Sequence, residues 1–212
     1  MDVGFFIFAF SSLFALVNPI GISPAFVSLT QRFPSSEVPG IAARGTFAAT
    51  VILLVFALIG DLIFSFYGIT IHAFRITGGI LFFRSGLKML ESIPSRTRST
   101  PKEQAEALTR NDVAVSPIAI PLIAGPGAIT SSMILASQTH DITRVISFLV
   151  ALLTVMLLTY LILRGADHLL KRIGTTGSRI IQRLMGLLIM VIAVQFIIDG
   201  LAPVLTEILR AI

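Results

Sequence analysis

The chain has 212 residues, of which 55% are hydrophobic and only 13% are charged. This composition excludes a soluble globular domain, because soluble domains need roughly a quarter of charged residues to cover their surface. The net charge of +5 would suggest a nucleic-acid partner in a soluble protein, but basic residues of membrane proteins collect in cytoplasmic loops, so we expect no such partner. The absence of Cys excludes disulfides and thiolate metal sites, and three scattered His predict neither a metal nor another cofactor.

Six apolar stretches are long enough to cross a bilayer, and they fill most of the chain. We therefore predict an all-α polytopic membrane protein whose spanning helices lie at 4–31, 43–66, 72–92, 113–138, 144–164 and 180–202. The polar stretch 93–112 is predicted to be a loop. Within it, Thr100, Pro101 and Glu103 supply the N-cap, first and third positions of a short surface helix. Since the N-terminus lacks the features of a cleaved signal peptide, the first stretch is predicted to be a retained span.

The distribution of Lys and Arg indicates which helix ends face the cytoplasm. If all six stretches cross the membrane, every Lys and Arg except Arg75, Arg144 and Arg210 falls on one side. Basic residues accumulate on the cytoplasmic side, so both termini are predicted to lie outside the cell and the loop 93–112 inside it. The basic clusters at 84–110 and 164–183 share a side only if the fourth and fifth stretches both cross, which argues against a re-entrant fourth stretch.

The two halves of the chain carry similar patterns in the same order. The matched stretches are 16–21 with 123–128, 60–68 with 166–174, and 75–78 with 183–186. Each match is weak by itself because Gly and Pro are frequent in membrane helices, but three matches in one order are more specific. Residues 1–92 and 113–212 are therefore predicted to be three-helix repeats. Three crossings per repeat invert the second repeat relative to the first, an architecture typical of secondary transporters.

A helix-breaking sequence lies near the middle of the first span of each half. The breaking residues are Asn18, Pro19 and Gly21 in the first half, and Gly125, Pro126 and Gly127 in the second. Pro lacks an N–H and Gly permits unusual dihedrals, so each helix should open and expose backbone groups that must face protein or water. A half-helix beginning there would suit a carboxylate. Four hydroxyls that follow the breaks are candidate ligands, with bonding to the preceding helical turn as the alternative for each: Ser23, Thr130, Ser131 and Ser132. At either site alone a simple Pro kink is the alternative; two matching breaks favour a substrate site.

Three stretches of the sequence, 18–21, 74–79 and 121–130, resemble the MarC family of bacterial and archaeal inner-membrane proteins. The resemblance covers essentially the whole chain, and 121–130 is its most specific part. It implies transport of small neutral amino acids such as glycine and alanine, the assignment of the SnatA branch, driven by a proton or other ion gradient. It also implies that the substrate site is formed by Asn18, Pro19, Gly21, Gly125, Pro126, Gly127 and Thr130.

Charged residues inside the predicted spans are functional candidates, because exposing them to lipid is costly. Asp61 and Arg75 lie near the outer ends of the second and third spans, and their repeat mates Asp167 and Arg183 near the inner ends of the fifth and sixth. We predict that Asp61–Arg75 and Asp167–Arg183 are ion pairs that tether an outer and an inner gate and break in turn. Snorkelling of these charges to the headgroups is the alternative.

The coupling ion and the oligomeric state are left open by the sequence. Asp61 and Asp199 are the carboxylates deep enough to carry a proton, but neither lies at the midplane, so a proton and Na⁺ both remain candidates. Arg84 and Lys88 make the third span more charged than the MarC pattern. We expect them to snorkel inward, with Arg84 facing the bundle interior as the alternative. Small residues such as Gly78 allow close helix contacts, so a homo-oligomer is an alternative to a monomer.

The sequence thus predicts a secondary transporter that works by alternating access, with its direction left open. We do not expect an enzyme, because no nucleophile–base pair, metal-ligand set or carboxylate pair lies in the middle of a span. An exporter of another small metabolite or a drug, and a structural or sensory membrane protein, are the alternatives.

Overall fold

The computed structural model describes residues 1–91 and 114–211, which are helical and contain no strand. The elements are α1 (Val3–Val17), α2 (Pro19–Thr30), α3 (Val38–Tyr67), α4 (Ile71–Leu90), the π-helix π1 (Ala114–Ile123), α5 (Pro126–Ala136), α6 (Ile142–Arg164) and α7 (Ala166–Ala211). The all-helical prediction is confirmed for these ranges. The predicted loop 93–112, with its surface helix at Thr100, lies outside the described residues.

The first spanning segment is divided at Asn18, which ends α1 and caps the start of α2. Its backbone is left-handed, with φ 49° and ψ 59°, and it is the one non-glycine residue of positive φ in the described ranges. Asn tolerates this conformation better than most residues because its short polar side chain bonds to nearby backbone. Pro19 occupies the first position of α2, where a missing N–H costs nothing. The break therefore follows from local chemistry.

The corresponding segment of the second half is divided at Gly125. The preceding π1 contains Pro117 and Pro121, which have no N–H to donate and would crowd the carbonyl one turn earlier in an α-helix. The wider π-turn ends with the amide of Ala124 bonded at 2.9 Å to the carbonyl of Ala119, five residues earlier. Gly125 is extended, with φ −72° and ψ 167°, and α5 then begins at Pro126.

Four helices in the described ranges are long and apolar enough to cross a membrane: Val3–Thr30, Val38–Gly60, Ile142–Arg164 and Thr176–Arg210. The 20 residues of α4 could also span a core of about 30 Å, but Arg75, Arg84 and Lys88 make this helix more polar. The long helix α7 is interrupted at Gly174, where φ is 68°, so its apolar part starts beyond that residue. Many large apolar side chains along these helices are exposed, as expected for surfaces that face lipid.

The most extensive helix contact is between α4 and α7, which run antiparallel. Near the start of α4, the carbonyl of His72 lies against Gly200, whereas towards its end Gly86 lies against Gly186. A Cβ on Gly86 would lie 2.6 Å from the carbonyl oxygen of Gly186, so the two backbones touch. Glycine permits this approach because any side chain here would separate the helices.

The remaining contacts recur between the two halves of the chain. In the first half α1 packs on α6, and in the second half π1 packs on α3. In the same way α2 packs on α6 and α7, while α5 packs on α3 and α4. The larger apolar core is formed mainly by α1, α3, π1, α5 and α6, and a smaller core joins α1 and α5 to α4 and α7. Val17 before the first break and Ala124 and Ala128 beside the second belong to the larger core, whereas Phe82, which adjoins Gly127, belongs to the smaller one.

Candidate functional site

Asn18 joins the two half-helices of the first segment through both its backbone and its side chain. Its N–H donates to the carbonyl of Phe14 at 2.9 Å, and its Oδ1 accepts the N–H of Gly21 at 3.2 Å. A Cβ on Gly21 would lie 2.6 Å from Cγ of Asn18, so this side-chain cap requires glycine. The Nδ2 amide faces Sδ of Met89 on α4 at 3.9 Å. Because a thioether is a weak acceptor, this donor could bind a stronger one.

The second break presents a helix start without a side-chain cap. Gly125 precedes α5, and its carbonyl accepts the N–H of Ile129 at 3.0 Å, which closes the first turn. Pro126 is exposed, while Gly125 and Gly127 are partly exposed. Backbone N–H groups in the first turn of a helix have no partner within the helix, and the dipole there is positive. The start of α5 can therefore bind an anionic group.

The two breaks lie side by side. A Cβ on Gly127 would lie 3.5 Å from Cδ2 of Leu16 in the last turn of α1 and 3.4 Å from the ring of Phe82 on α4. One turn further along α5, the methyl group of Thr130 would be 2.8 Å from a Cβ on Gly78 of α4. Thr130 is buried, with 9% of its surface exposed. The start of α5 is therefore enclosed by the end of α1 and by α4.

One face of α4 forms a wall common to both breaks. Gly78, Phe82 and Met89 lie at helical spacing, and they adjoin Thr130, Gly127 and Asn18 respectively. Phe82 and Met89 were not among the site residues predicted from the sequence. The helical spacing of Phe82 and Met89 from Gly78 could have predicted them, because it places all three residues on one side of the helix. Gln182 of α7 was also missed; its Nε2 donates to the carbonyl of Gly21 at 3.5 Å.

The hydroxyl groups near the breaks differ in how they are bonded. The hydroxyl of buried Ser23 donates to the carbonyl of Pro19 at 2.7 Å, so it closes a turn of its own helix. Ser132 instead donates to the carbonyl of Leu53 at 2.8 Å and joins α5 to α3. The hydroxyl of Ser131 is fully buried and has no hydrogen-bond partner among the described residues. Of these three, Ser131 is the one whose O–H donates no hydrogen bond in the described structure.

Of the predicted outer ion pair Asp61–Arg75, the structure describes only the side chain of Arg75. Arg75 is partly buried near the start of α4, and among the described residues the carboxylate of Asp199 on α7 is close enough to attract its guanidinium without forming an ion pair. Oδ1 of Asp199 also accepts the side-chain amide of Gln195 at 2.7 Å, whereas Nε of Arg75 has no hydrogen-bond partner in the described ranges. The side chain of Asp61 lies outside the described residues, so Asp61–Arg75 stays a prediction. Asp199, predicted as a proton carrier, here faces Arg75.

The predicted inner pair has a different immediate environment. Asp167, in the first turn of α7, accepts the ammonium of Lys171 at 2.6 Å, and both side chains are exposed. The pairing of Asp167 with Arg183 stays a prediction. A cavity of about 310 Å³ adjoins Asp167, between the end of α2, the turn that follows it, and the junction of α6 with α7. Arg164 and Gln31 also line this cavity, but none of the residues predicted to bind substrate does.

The chain is similar to known membrane proteins over nearly its whole length. The model of the MarC family integral membrane proteins matches residues 3–205. The chain is 40% identical to the UPF0056 membrane protein MJ1677 of Methanocaldococcus jannaschii, over 95% of this chain and 98% of that protein. It is 34% identical to YhcE of Escherichia coli, over 95% and 94%, and 35% identical to YvbG of Bacillus subtilis, over 98% and 100%. No solved structure matches.

Proposed function

The chain belongs to the MarC family of integral membrane proteins, and from this premise we propose that it is a secondary transporter of small neutral amino acids such as glycine and alanine. One observation carries the proposal: the two helix breaks lie side by side against one face of α4. Broken helices of this kind are where transporters bind substrate, because their freed backbone groups replace the water around it.

The proposed topology is six crossings in two inverted repeats, with both termini outside the cell in the inner membrane. The directions of the helices support it. Asp2, before α1, bonds to Ser147 near the start of α6, so these helices run parallel, and Gly45 lies against Ala114, so α3 and π1 also run parallel. Corresponding helices α4 and α7 run antiparallel, as inverted repeats require. The helix contacts that recur between the two halves support the same arrangement.

The chemistry of the breaks suits a zwitterion. The carboxylate would bind the first-turn N–H groups of α5 and the Nδ2 donor of Asn18, and the ammonium would bind carbonyls at the ends of α1 and π1. The backbone of Gly127 gives the substrate close access to the helix start. A Cβ on Gly127 would already be in van der Waals contact with Leu16 and Phe82, so we propose that a substrate at this backbone can carry only a small side chain. We therefore expect glycine and alanine to be preferred over leucine.

Alternating access would require α4 to separate from the breaks, since it covers both. The contact of Gly78 with Thr130 would open towards one side of the membrane, and that of Met89 with Asn18 towards the other. Asp199 beside Arg75 is the proposed coupling site, because a proton on this carboxylate would cancel its attraction for the guanidinium. A Na⁺ gradient is the alternative energy source.

The test is uptake of radiolabelled glycine and alanine into proteoliposomes under an imposed proton or Na⁺ gradient. We expect gradient-dependent accumulation that falls at least about ten-fold in Gly127→Leu, because a leucine side chain would fill the space between Leu16 and Phe82. Gly40→Ala is the matched control, since nothing lies within 4 Å of its added Cβ, and it should transport normally. Absence of accumulation by folded protein under both gradients would refute amino-acid transport.

A further inference from the structure

Arg84 and Lys88 place two positive charges within α4, on a face that no other described helix covers. Counted from the end of α4 at Leu90, Arg84 lies roughly 9 Å and Lys88 roughly 3 Å inside the helix, at 1.5 Å per residue. Both side chains are exposed. A cation at the depth of Arg84 needs a counter-charge or a route to water, because hydrocarbon offers it neither.

The other faces of α4 are occupied. Gly79 and Gly86 pack against α7, Gly78 and Phe82 against α5, and Met89 against Asn18. On the remaining face, no carboxylate in the described ranges forms an ion pair with either cation. The hydroxyl between them, that of Ser85, donates to the carbonyl of Leu81 in its own helix at 2.9 Å. The protein that the structure describes therefore supplies no partner for these two charges.

Apolar side chains surround the two cations along the same helix surface. Ile80 is 58% exposed, Leu81 45% and Leu87 38%. This surface combines an apolar stretch toward the middle of the helix with a cationic end near its C-terminus. A phospholipid has the complementary arrangement, with acyl chains in the membrane and a charged phosphate at its surface.

We propose that this face of α4 binds an anionic phospholipid. The guanidinium of Arg84 can donate two parallel hydrogen bonds to phosphate oxygens, and Lys88, one helical turn nearer the surface, adds a second cation to the same headgroup. The acyl chains lie along Ile80 and Leu81. The inner leaflet is the binding side if the proposed orientation holds, but the binding itself does not depend on transport or on that orientation.

A second copy of the chain fits this face less well. In a two-fold dimer formed here, Arg84 and Lys88 would face the same residues of the partner, so like charges would meet in a medium of low dielectric. Exposed carboxylates that the structure describes, such as Glu37, Glu91 and Asp141, lie at helix ends rather than at the depth of Arg84. A phosphate group drawn towards the helix supplies the missing negative charge.

Native mass spectrometry of the purified full chain tests the proposal by titration with phosphatidylglycerol and with phosphatidylcholine. The wild type should prefer phosphatidylglycerol, and Arg84→Gln with Lys88→Gln should weaken its binding by about 25-fold, or about five-fold for each cation. The exchange Arg84→Lys with Lys88→Arg should keep binding within about five-fold, because both charges remain. The matched control is Arg172→Gln, an exposed cation before the Gly174 interruption, which should change binding less than two-fold.

Two results would overturn the proposal. One is equal phosphatidylglycerol binding by the wild type and the doubly substituted chain. The other is a change from oligomer to monomer in the doubly substituted chain without a change in lipid affinity, which would make this face a contact between copies. A variant that loses helicity by circular dichroism is replaced by the single substitution Lys88→Gln, for which about a five-fold loss is expected.

Discussion

Two substitutions of Asn18 distinguish the energetic cost of its left-handed backbone from the contribution of its side-chain hydrogen bond. Asn18→Ala deletes the cap to the N–H of Gly21, worth about 1 kcal/mol, and places Ala in the left-handed region, which costs about 1–2 kcal/mol. The free energy of unfolding should fall by about 2–3 kcal/mol. Asn18→Gly loses the same bond without the strain, and Gly at a helix N-cap costs only a few tenths of a kcal/mol.

Thermal unfolding followed by far-ultraviolet circular dichroism in detergent measures this difference. The chain has neither Trp nor Cys, so fluorescence of indole and thiol-reactive dyes give no signal. At about 2–4 °C per kcal/mol for a chain of this size, Asn18→Ala should lower the midpoint by about 4–12 °C, whereas Asn18→Gly should stay within about 2 °C of the wild type. Equal midpoints for the two variants would refute the reasoning about strain.

The same pair of variants also tests the proposed substrate contact. If Nδ2 of Asn18 binds the substrate carboxylate, Asn18→Gly should lose transport although it remains folded. Full transport by this stable variant would show that the amide acts on helix geometry alone.

Three further substitutions test packing, a buried hydrogen bond and a terminal charge. Gly86→Ala should cost about 1–3 kcal/mol, because its Cβ would lie 2.6 Å from a backbone carbonyl oxygen of α7, whereas Gly40→Ala should cost nothing; melting curves compare them. Ser132→Ala should cost about 1 kcal/mol by deleting its 2.8 Å bond to α3, and an unchanged melt would contradict this. An N–H of the first turn of α1, and then Arg144, hold the pKa of Asp2 below its ordinary 3.8. The stability from Asp2 is therefore present above pH 3.8 and lost as the pH falls through the lowered pKa. The protection of that N–H, which is its hydrogen exchange relative to the intrinsic rate at the same pH, should therefore fall on acidification in the wild type but not in Asp2→Asn.

Local chemistry made the positions of both helix breaks predictable. Asn18 and Pro19 interrupt the first segment where the sequence placed the break, because a Pro at the first helical position and an Asn that tolerates positive φ act within a few residues. Gly125 and Pro126 divide the second segment for the same kind of reason. Apolar composition likewise determined the membrane class. The bounds of the last span were predicted less well, since the apolar helix runs over Thr176–Arg210 rather than 180–202, directly after the non-helical backbone of Gly174.

Only the tertiary structure decided which residues meet across helices. The sequence placed Asp61 and Arg75 near the same membrane face, and it gave no sign that the antiparallel crossing of α4 and α7 also brings Asp199 close to Arg75. The wall that Phe82 and Met89 form across both breaks depends on the same crossing. The separation and register of α4 and α7 depend on how closely their glycine backbones approach. That approach results from many weak contacts between residues distant in sequence. Periodicity tells which face of a helix is buried, but it carries no information on the partner that buries it.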